Sequence, residues 1–159
     1  MSMPAFVSSS ADMQGSYRYS LTRVWDESLP LVTFVLLNPS TADDVELDPT
    51  LRRCIGFARR EQFGGMRILN LYAFRATKPK VMFAAPDPIG IENDRALASA
   101  SGVVIAGWGT NARAARVARA VTLLPKLKAL KTTKDGHPQH PLYVRRDSPL
   151  IDWPERGVS

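Results

Sequence analysis

At Leu31-Val-Thr-Phe-Val-Leu-Leu-Asn38-Pro-Ser-Thr-Ala-Asp43-Asp44, a continuous apolar run passes directly into a loop of small polar residues and carboxylates. An unbroken run of Val, Leu and Phe predicts a strand covered on both faces, because a half-exposed strand would alternate apolar and polar residues. In open α/β sheets, ligands bind just beyond the carboxyl ends of such strands. The stretch therefore predicts an α/β fold with candidate catalytic residues at Asn38, Asp43 and Asp44, although an ordinary strand-to-helix connection would have the same pattern.

Strand and helix patterns alternate along the rest of the chain. Strands are predicted at residues 17–25, 66–74 and 102–107, and helices at 50–62, 91–100 and 112–124. This alternation predicts a three-layer α/β sandwich around a mainly parallel central sheet. We also expect strand 17–25 to form a hairpin with strand 31–37. Residues 1–16 are expected to be a flexible leader before a single domain at 17–159.

Composition narrows the classes of protein that fit. With 159 residues and 45% hydrophobic content, the chain is long enough for one domain with its own core. No stretch approaches the roughly 20 apolar residues of a membrane span, so no membrane partner is expected. Cys54 is the only cysteine, which excludes an internal disulfide and favours a cytoplasmic location. The net charge of +6 favours an anionic partner, such as a nucleic acid or a nucleotide.

Amide and aromatic side chains follow two further strands. Asn70, Tyr72 and Phe74 come at the end of one, and Trp108 follows another. An asparagine side chain can both donate to and accept from the edge of a base, and an aromatic ring can stack on it. We therefore predict that these four residues bind substrate. The alternative is that Asn70 bonds to neighbouring backbone and that the aromatic residues belong to the core.

The remaining candidates are basic. His137 and His140 lie in a Gly/Pro-rich loop. Because histidine titrates near neutrality, either is a candidate for donating to a leaving-group oxygen or for contacting phosphate. Arg52 and Arg53 are predicted to bind phosphate and Arg75 to bind substrate, with a solvated helix face as the alternative for the first two. No third metal ligand has convincing spacing and no dinucleotide or Walker fingerprint is present, so no metal or cofactor is predicted.

Several short motifs together cover most of the chain. They are Asn38-Pro-Ser-Thr-Ala-Asp43, Asp48-Pro-Thr50 followed by Arg52-Arg53, Asn70-Leu-Tyr-Ala-Phe-Arg75, Asn93-Asp94, Gly107-Trp-Gly109 and Gly136-His-Pro-Gln-His-Pro-Leu-Tyr143. This set resembles the bacterial and phage domain-of-unknown-function family numbered sixteen-forty-three. That resemblance implies no particular activity.

The order of these motifs is also similar to that of the uracil-DNA glycosylase superfamily. Its members have a strand ending in Asp/Asn-Pro, a strand with Asn, a strand ending in Trp-Gly and a late His-Pro loop. Asn38-Pro39, Asn70 and Trp108-Gly109 match the first three, and either histidine matches the last. The chain differs at Leu36, where that superfamily has glycine.

This second resemblance implies a glycosylase-like fold and a division of roles. Asn38 would position the attacking water, Asn70 would read the base edge, and a histidine would contact the pyrimidine oxygen. Because an asparagine cannot act as a base, Asp43, Asp44 or Asp48 would have to assist.

The leading hypothesis is an enzyme that acts on a nucleobase or nucleotide, either free or within nucleic acid, by N-glycosidic cleavage or base exchange. Two alternatives remain open at this point. One is a non-catalytic nucleic-acid-binding module, and the other is a hydrolase or transferase for a small phosphorylated metabolite.

Overall fold

The computed structural model describes residues 3–42, 45 and 48–154. The strands are β1 (Ser8–Gln14), β2 (Tyr17–Val24), β3 (Leu31–Leu36), β4 (Gly65–Asn70), β5 (Val104–Ala106), β6 (Leu127–Ala129) and β7 (Ile151–Trp153). The helices are α1 (Pro49–Arg60), α2 (Pro79–Ala84), α3 (Asn93–Ala98) and α4 (Ala114–Leu123), with a short 3₁₀ helix at Pro141–Tyr143. The α/β prediction is confirmed.

All seven of these strands belong to one sheet, in the order β1-β2-β4-β3-β5-β6-β7. The pairs β4-β3, β3-β5 and β5-β6 are parallel, whereas β1-β2, β2-β4 and β6-β7 are antiparallel. The sheet is therefore mixed, and the prediction of a mainly parallel sheet is corrected. The predicted hairpin between β2 and β3 is also wrong, because β2 pairs with β4. An alternating pattern indicates a strand but does not specify its neighbour, so the partner of β2 could not be predicted from the sequence.

The N-terminal segment contributes a strand to the sheet. Residues 1–16 were expected to form a leader outside the domain, but β1 pairs with β2 through a two-residue turn at Gly15 and Ser16. Gly15 has a φ of 58°, which glycine adopts without steric cost. Every residue of β1 is exposed, so its sequence carries no apolar signal for a strand.

Two apolar clusters lie on opposite faces of the sheet. Phe34 of β3 packs in one cluster with Ile55 of α1, and Val35 packs in the other with Leu97 of α3 and Ala120 of α4. Neighbouring strand residues point to opposite faces, so one strand supplies both clusters. This explains the continuous apolar run of β3, which is covered on both sides as predicted.

The connections on either side of β3 create a crevice in the sheet. After β3 the chain passes through α1 to β4 on one side, and the next parallel strand, β5, lies on the other side of β3. The connection after β5 runs through α4 to β6, away from β3. The loops that leave the carboxyl ends of β3 and β5 therefore lead in opposite directions along the sheet. Such a switch in strand order is where open α/β sheets bind ligands.

Candidate functional site

A cavity of about 360 Å³ lies at this switch, beyond the carboxyl ends of β3, β4 and β5. Of the residues selected from the sequence, five line it: Asn38, Asp48, Asn70, Trp108 and His140. The loop that contains His140 and the 3₁₀ helix that follows it also contribute lining residues. The other selected residues lie elsewhere, except Asp43 and Asp44, which fall outside the described residues.

The amide group of Asn38 is fixed in one orientation. Its Nδ2 donates to the carbonyl oxygens of Pro39 at 3.1 Å and Ala76 at 2.9 Å. Both partners are acceptors, so the opposite assignment of the amide is excluded. The side chain is half-buried, and no described residue donates to its Oδ1. Oδ1 is thus a preorganised acceptor at the cavity wall.

The end of β4 is held from the far side by two buried polar side chains. Nδ2 of Asn93 donates to the carbonyl oxygens of Asn70 at 2.9 Å and Leu71 at 3.0 Å. Nε of Arg116 also donates to the carbonyl of Leu71, at 2.7 Å, and its Nη1 pairs with Asp94 at 2.6 Å. These contacts fix the backbone that presents Asn70 to the cavity. They also account structurally for the Asn93-Asp94 motif.

Two polar atoms of cavity-lining residues are buried without a hydrogen-bond partner in the described part of the chain. They are Oδ1 of Asn70, an acceptor, and Nε1 of Trp108, a donor. The Trp108 ring packs edge-on against Trp153, with 5.3 Å between ring centroids. An unpaired buried polar group costs roughly 1–3 kcal/mol, so both atoms are suited to bonding with a bound molecule.

Gly107, next to Trp108, allows the segments around the cavity to pack closely against each other. A Cβ at this position would lie 3.2 Å from Cδ2 of Leu36 and 3.2 Å from Cδ of Pro141, closer than most side chains approach. Only a residue without a side chain lets the start of the 3₁₀ helix reach the ends of β3 and β5 without displacement.

Asp48 places a buried carboxylate in the cavity wall. Its Oδ1 accepts from the backbone N–H groups of Thr50 and Leu51, and its Oδ2 accepts from Oγ of Ser40 at 2.8 Å. The first two bonds cap α1, which begins at Pro49, one residue before the predicted start. The three donors hold the carboxylate in one position.

His140 faces the same cavity as Asp48. Burial lowers the pKa of His140 below its usual value, and the negative charge of Asp48 opposes part of that shift. The ring is therefore neutral at pH 7. Its Nδ1 accepts from the backbone N–H of Leu142 at 3.3 Å, which assigns the proton to Nε2. Nε2–H is then a donor with no partner among the described residues.

The other histidine is in a different position. His137 does not line the cavity; its backbone N–H and carbonyl both bond to Thr133. The structure therefore distinguishes two histidines that the sequence left equivalent.

The aromatic residues after β4 pack against other hydrophobic side chains, Tyr72 in the interior and Phe74 at its edge. Tyr72 is buried, with its ring edge-on to Phe83 at 5.0 Å and its hydroxyl accepting from the backbone N–H of Arg113. Phe74 packs edge-on against Tyr17 at 5.7 Å. Neither lines the cavity, and their contacts match the core alternative.

The selected arginines also lie outside the cavity. Arg75 bonds to the carbonyl oxygens of Ser40 and Thr41, so it ties the loop after β3 to the segment after β4. Arg52 and Arg53 lie on α1, beside a separate groove.

Sequence reasoning missed most of the other lining residues, and three of these have polar groups of note. Arg18 is buried and donates to the carbonyl of Ala42, Ser40 holds Asp48, and Tyr143 is 73% exposed at the cavity mouth. A charged residue inside the aromatic strand β2 was the available signal for Arg18. For Tyr143 the available signal was its place in the motif that contains both histidines.

No three His, Cys, Asp or Glu side chains within residues 3–42, 45 and 48–154 come close enough together to hold a metal ion. In the same part of the chain, no helix combines the length and apolar content needed to cross a membrane.

No curated protein and no solved structure matches the chain significantly. A family model does match, over residues 18–142, which covers β2 through most of the 3₁₀ helix. The matched region therefore includes every residue that lines the cavity except Tyr143. The chain belongs to the family described as Protein of unknown function (DUF1643).

Proposed function

We propose that the cavity binds a nucleobase and that the protein cleaves or exchanges its N-glycosidic bond, on a three-layer fold like that of the uracil-DNA glycosylases. The supporting observation is that Asn38, Asn70, Trp108 and His140, which are distant in sequence, line one cavity of about 360 Å³. That volume is within the roughly 300–1,000 Å³ typical of small-ligand sites.

The unpaired atoms in the cavity support recognition of a heterocycle. A base presents donors and acceptors along one edge, and Asn70 Oδ1 and Trp108 Nε1–H offer the complementary pair. Binding would satisfy groups that are otherwise buried without a partner. The exposed ring of Tyr143 would stack on a base or seal the mouth of the cavity.

The polar groups fit the charge that develops during N-glycosidic cleavage. The bonding electron pair leaves with the base, positive charge builds on the sugar, and a water oxygen bonds to the anomeric carbon. Asn38 Oδ1 would orient that water, the Asp48 carboxylate would stabilise the sugar cation, and His140 Nε2–H would donate to the base as it becomes anionic. In base exchange, a second base would replace water.

The proton lost by the attacking water needs an acceptor. Asp43 and Asp44 are the candidates predicted for this role, alongside Asp48. Asp48 already accepts three hydrogen bonds, so electrostatic stabilisation suits it better than proton transfer.

The position of the cavity supports the proposed fold relationship. Four parallel strands form the centre of the sheet, and the cavity lies at the switch beside β3. Fold alone does not specify a reaction, so the proposal depends on the residues of the cavity.

The test is base release, measured by mass spectrometry on nucleosides, nucleotides and oligonucleotides with normal and modified bases. Wild-type protein should release a base from at least one substrate class, and Asn38→Ala and His140→Gln should abolish release. His137→Gln is the matched control and should retain it.

Absence of release across the panel, from folded wild-type protein, would overturn the proposal. Nucleic-acid binding without release would support a non-catalytic module. Turnover of a small phosphorylated metabolite would support the alternative of a hydrolase or transferase for such compounds.

A further inference from the structure

A second concave surface lies beside the cavity, along α1. This groove has a volume of about 490 Å³, and four arginines line it: Arg52, Arg53, Arg60 and Arg146. No acidic side chain is among its described lining residues. A concave surface with four positive charges selects for an anionic ligand.

Two of the arginines are held in place by the fold. Nη2 of Arg53 donates to the carbonyl of Val144, and Nη1 of Arg60 donates to the carbonyls of Arg146 and Ser148. The two guanidinium groups also lie 6.0 and 5.1 Å from the ring of Phe57. Their positions in the groove are therefore preorganised rather than those of freely moving surface side chains.

These same two groups retain unused donors. Nε of Arg53 and Nη2 of Arg60 are buried and have no hydrogen-bond partner among the described residues. Glu61 pairs with Arg60 through Nε at 3.2 Å and leaves that Nη2 atom free. Charged N–H donors without acceptors are suited to the oxygens of a phosphate group.

The other two arginines, Arg52 and Arg146, are exposed. Arg52 and Arg60 are eight residues apart on α1, with Gly56 midway between them. Because Gly56 has no side chain, an extended ligand can approach the helix backbone there. Arg146 contributes from the loop after the 3₁₀ helix.

The groove adjoins the cavity. Leu142 lines both, and Pro49 of the groove directly precedes Thr50 of the cavity wall. A ligand with a base in the cavity and phosphates alongside would occupy both compartments, whereas a free base would leave the groove empty.

We propose that the groove binds the phosphodiester backbone of a nucleic-acid strand whose base enters the cavity. The choice of a polynucleotide as substrate rests on the nucleobase-directed function proposed above.

The test is binding of a fluorescent single-stranded oligonucleotide of about 20 nucleotides, measured by anisotropy between about 50 and 200 mM salt. The test variant is Arg52→Ala/Arg146→Ala, because both side chains are exposed and neither is among the arginines that hold the 144–148 segment. The control is Arg95→Ala/Lys126→Ala, which removes the same charge from exposed positions outside the groove.

The groove variant should bind at least about tenfold more weakly at the lowest salt. The slope of log K against log salt should fall by about 1.4, since each phosphate contact on a single strand contributes about 0.7. The control should keep the wild-type slope. An unchanged slope in the groove variant, equal losses in both variants, or no binding by the wild type would overturn the proposal. Binding of anionic vesicles in place of the oligonucleotide would also overturn it.

The two proposals fail in different ways. If no base is released but oligonucleotide binding depends on Arg52 and Arg146, the groove proposal stands and the catalytic one falls. If bases are released from oligonucleotides with the same KM in the groove variant, the catalytic proposal stands and the groove proposal falls.

Discussion

Replacing Asp48 with alanine and with asparagine should give two different results, because the side chain both caps α1 and carries a charge in the cavity. Its Oδ1 accepts from the backbone N–H groups of Thr50 at 2.9 Å and Leu51 at 3.1 Å. Its Oδ2 accepts from Ser40 Oγ at 2.8 Å. Alanine removes the cap and the charge, whereas asparagine keeps a capping oxygen and removes the charge alone.

The magnitudes follow from these bonds. Loss of an N-cap costs about 1 kcal/mol and loss of the Ser40 hydrogen bond about another 1 kcal/mol, so Asp48→Ala should lose about 2 kcal/mol of unfolding free energy. For a domain of this size, that loss corresponds to a fall in Tm of roughly 4–8 °C. Asparagine is as good an N-cap as aspartate, so Asp48→Asn should lose less than about 1 kcal/mol.

The assay combines thermal unfolding with an NMR titration of His140, and His137 supplies a reference signal from outside the cavity. Asp48→Asn should lower the pKa of His140 further, because the charge that opposes the effect of burial is gone. Equal destabilisation by both substitutions, or an unchanged pKa of His140 in Asp48→Asn, would refute the reasoning.

Two other predictions concern stability. Burial lowers the pKa of His140 in the folded state, so the unfolded chain takes up its proton first and stability falls as the pH drops from about 6.5 to the folded pKa. In urea unfolding, His140→Gln should abolish this decline in the free energy of unfolding, and His137→Gln, the control, should keep it. A decline that stays at the wild-type slope in His140→Gln would contradict the burial argument. Asn93→Ala should lose about 2 kcal/mol by the same measurement, because two buried hydrogen bonds to the end of β4 are removed. A loss below about 0.5 kcal/mol would show that Asn93 does not hold that strand end.

Local signals in the sequence predicted the central elements well. The apolar run of β3 and the Asp48-Pro49 start of α1 specify their own conformations, because burial and capping act within a few residues. The pairing of β2 with β4 and the addition of β1 depend on contacts between distant segments. The same is true of β7, which pairs with β6.

The candidate site was predicted best where a side chain lies at the end of a strand or just beyond it. Asn38 and Asn70 reach the cavity because the ends of parallel strands meet at one edge of the sheet. Tyr72 does not, because β4 ends at Asn70 and the N–H of Tyr72 then bonds to the carbonyl of Leu37, which places its side chain in the core. The choice between the histidines depended on how the final loop folds back onto β5, which no local pattern specifies.

The most direct test of the cavity as a nucleobase site is to titrate bases, nucleosides and short oligonucleotides into ¹⁵N-labelled protein and follow the tryptophan indole N–H signals. Trp108 has an unpaired Nε1–H at the cavity, whereas Nε1 of Trp25 already donates to the carbonyl of Phe63. The Trp108 indole signal should shift on binding, together with the His140 ring, while the Trp25 signal stays in place. No shift with any compound, or shifts that leave Trp108 and His140 unaffected, would contradict the assignment of this cavity.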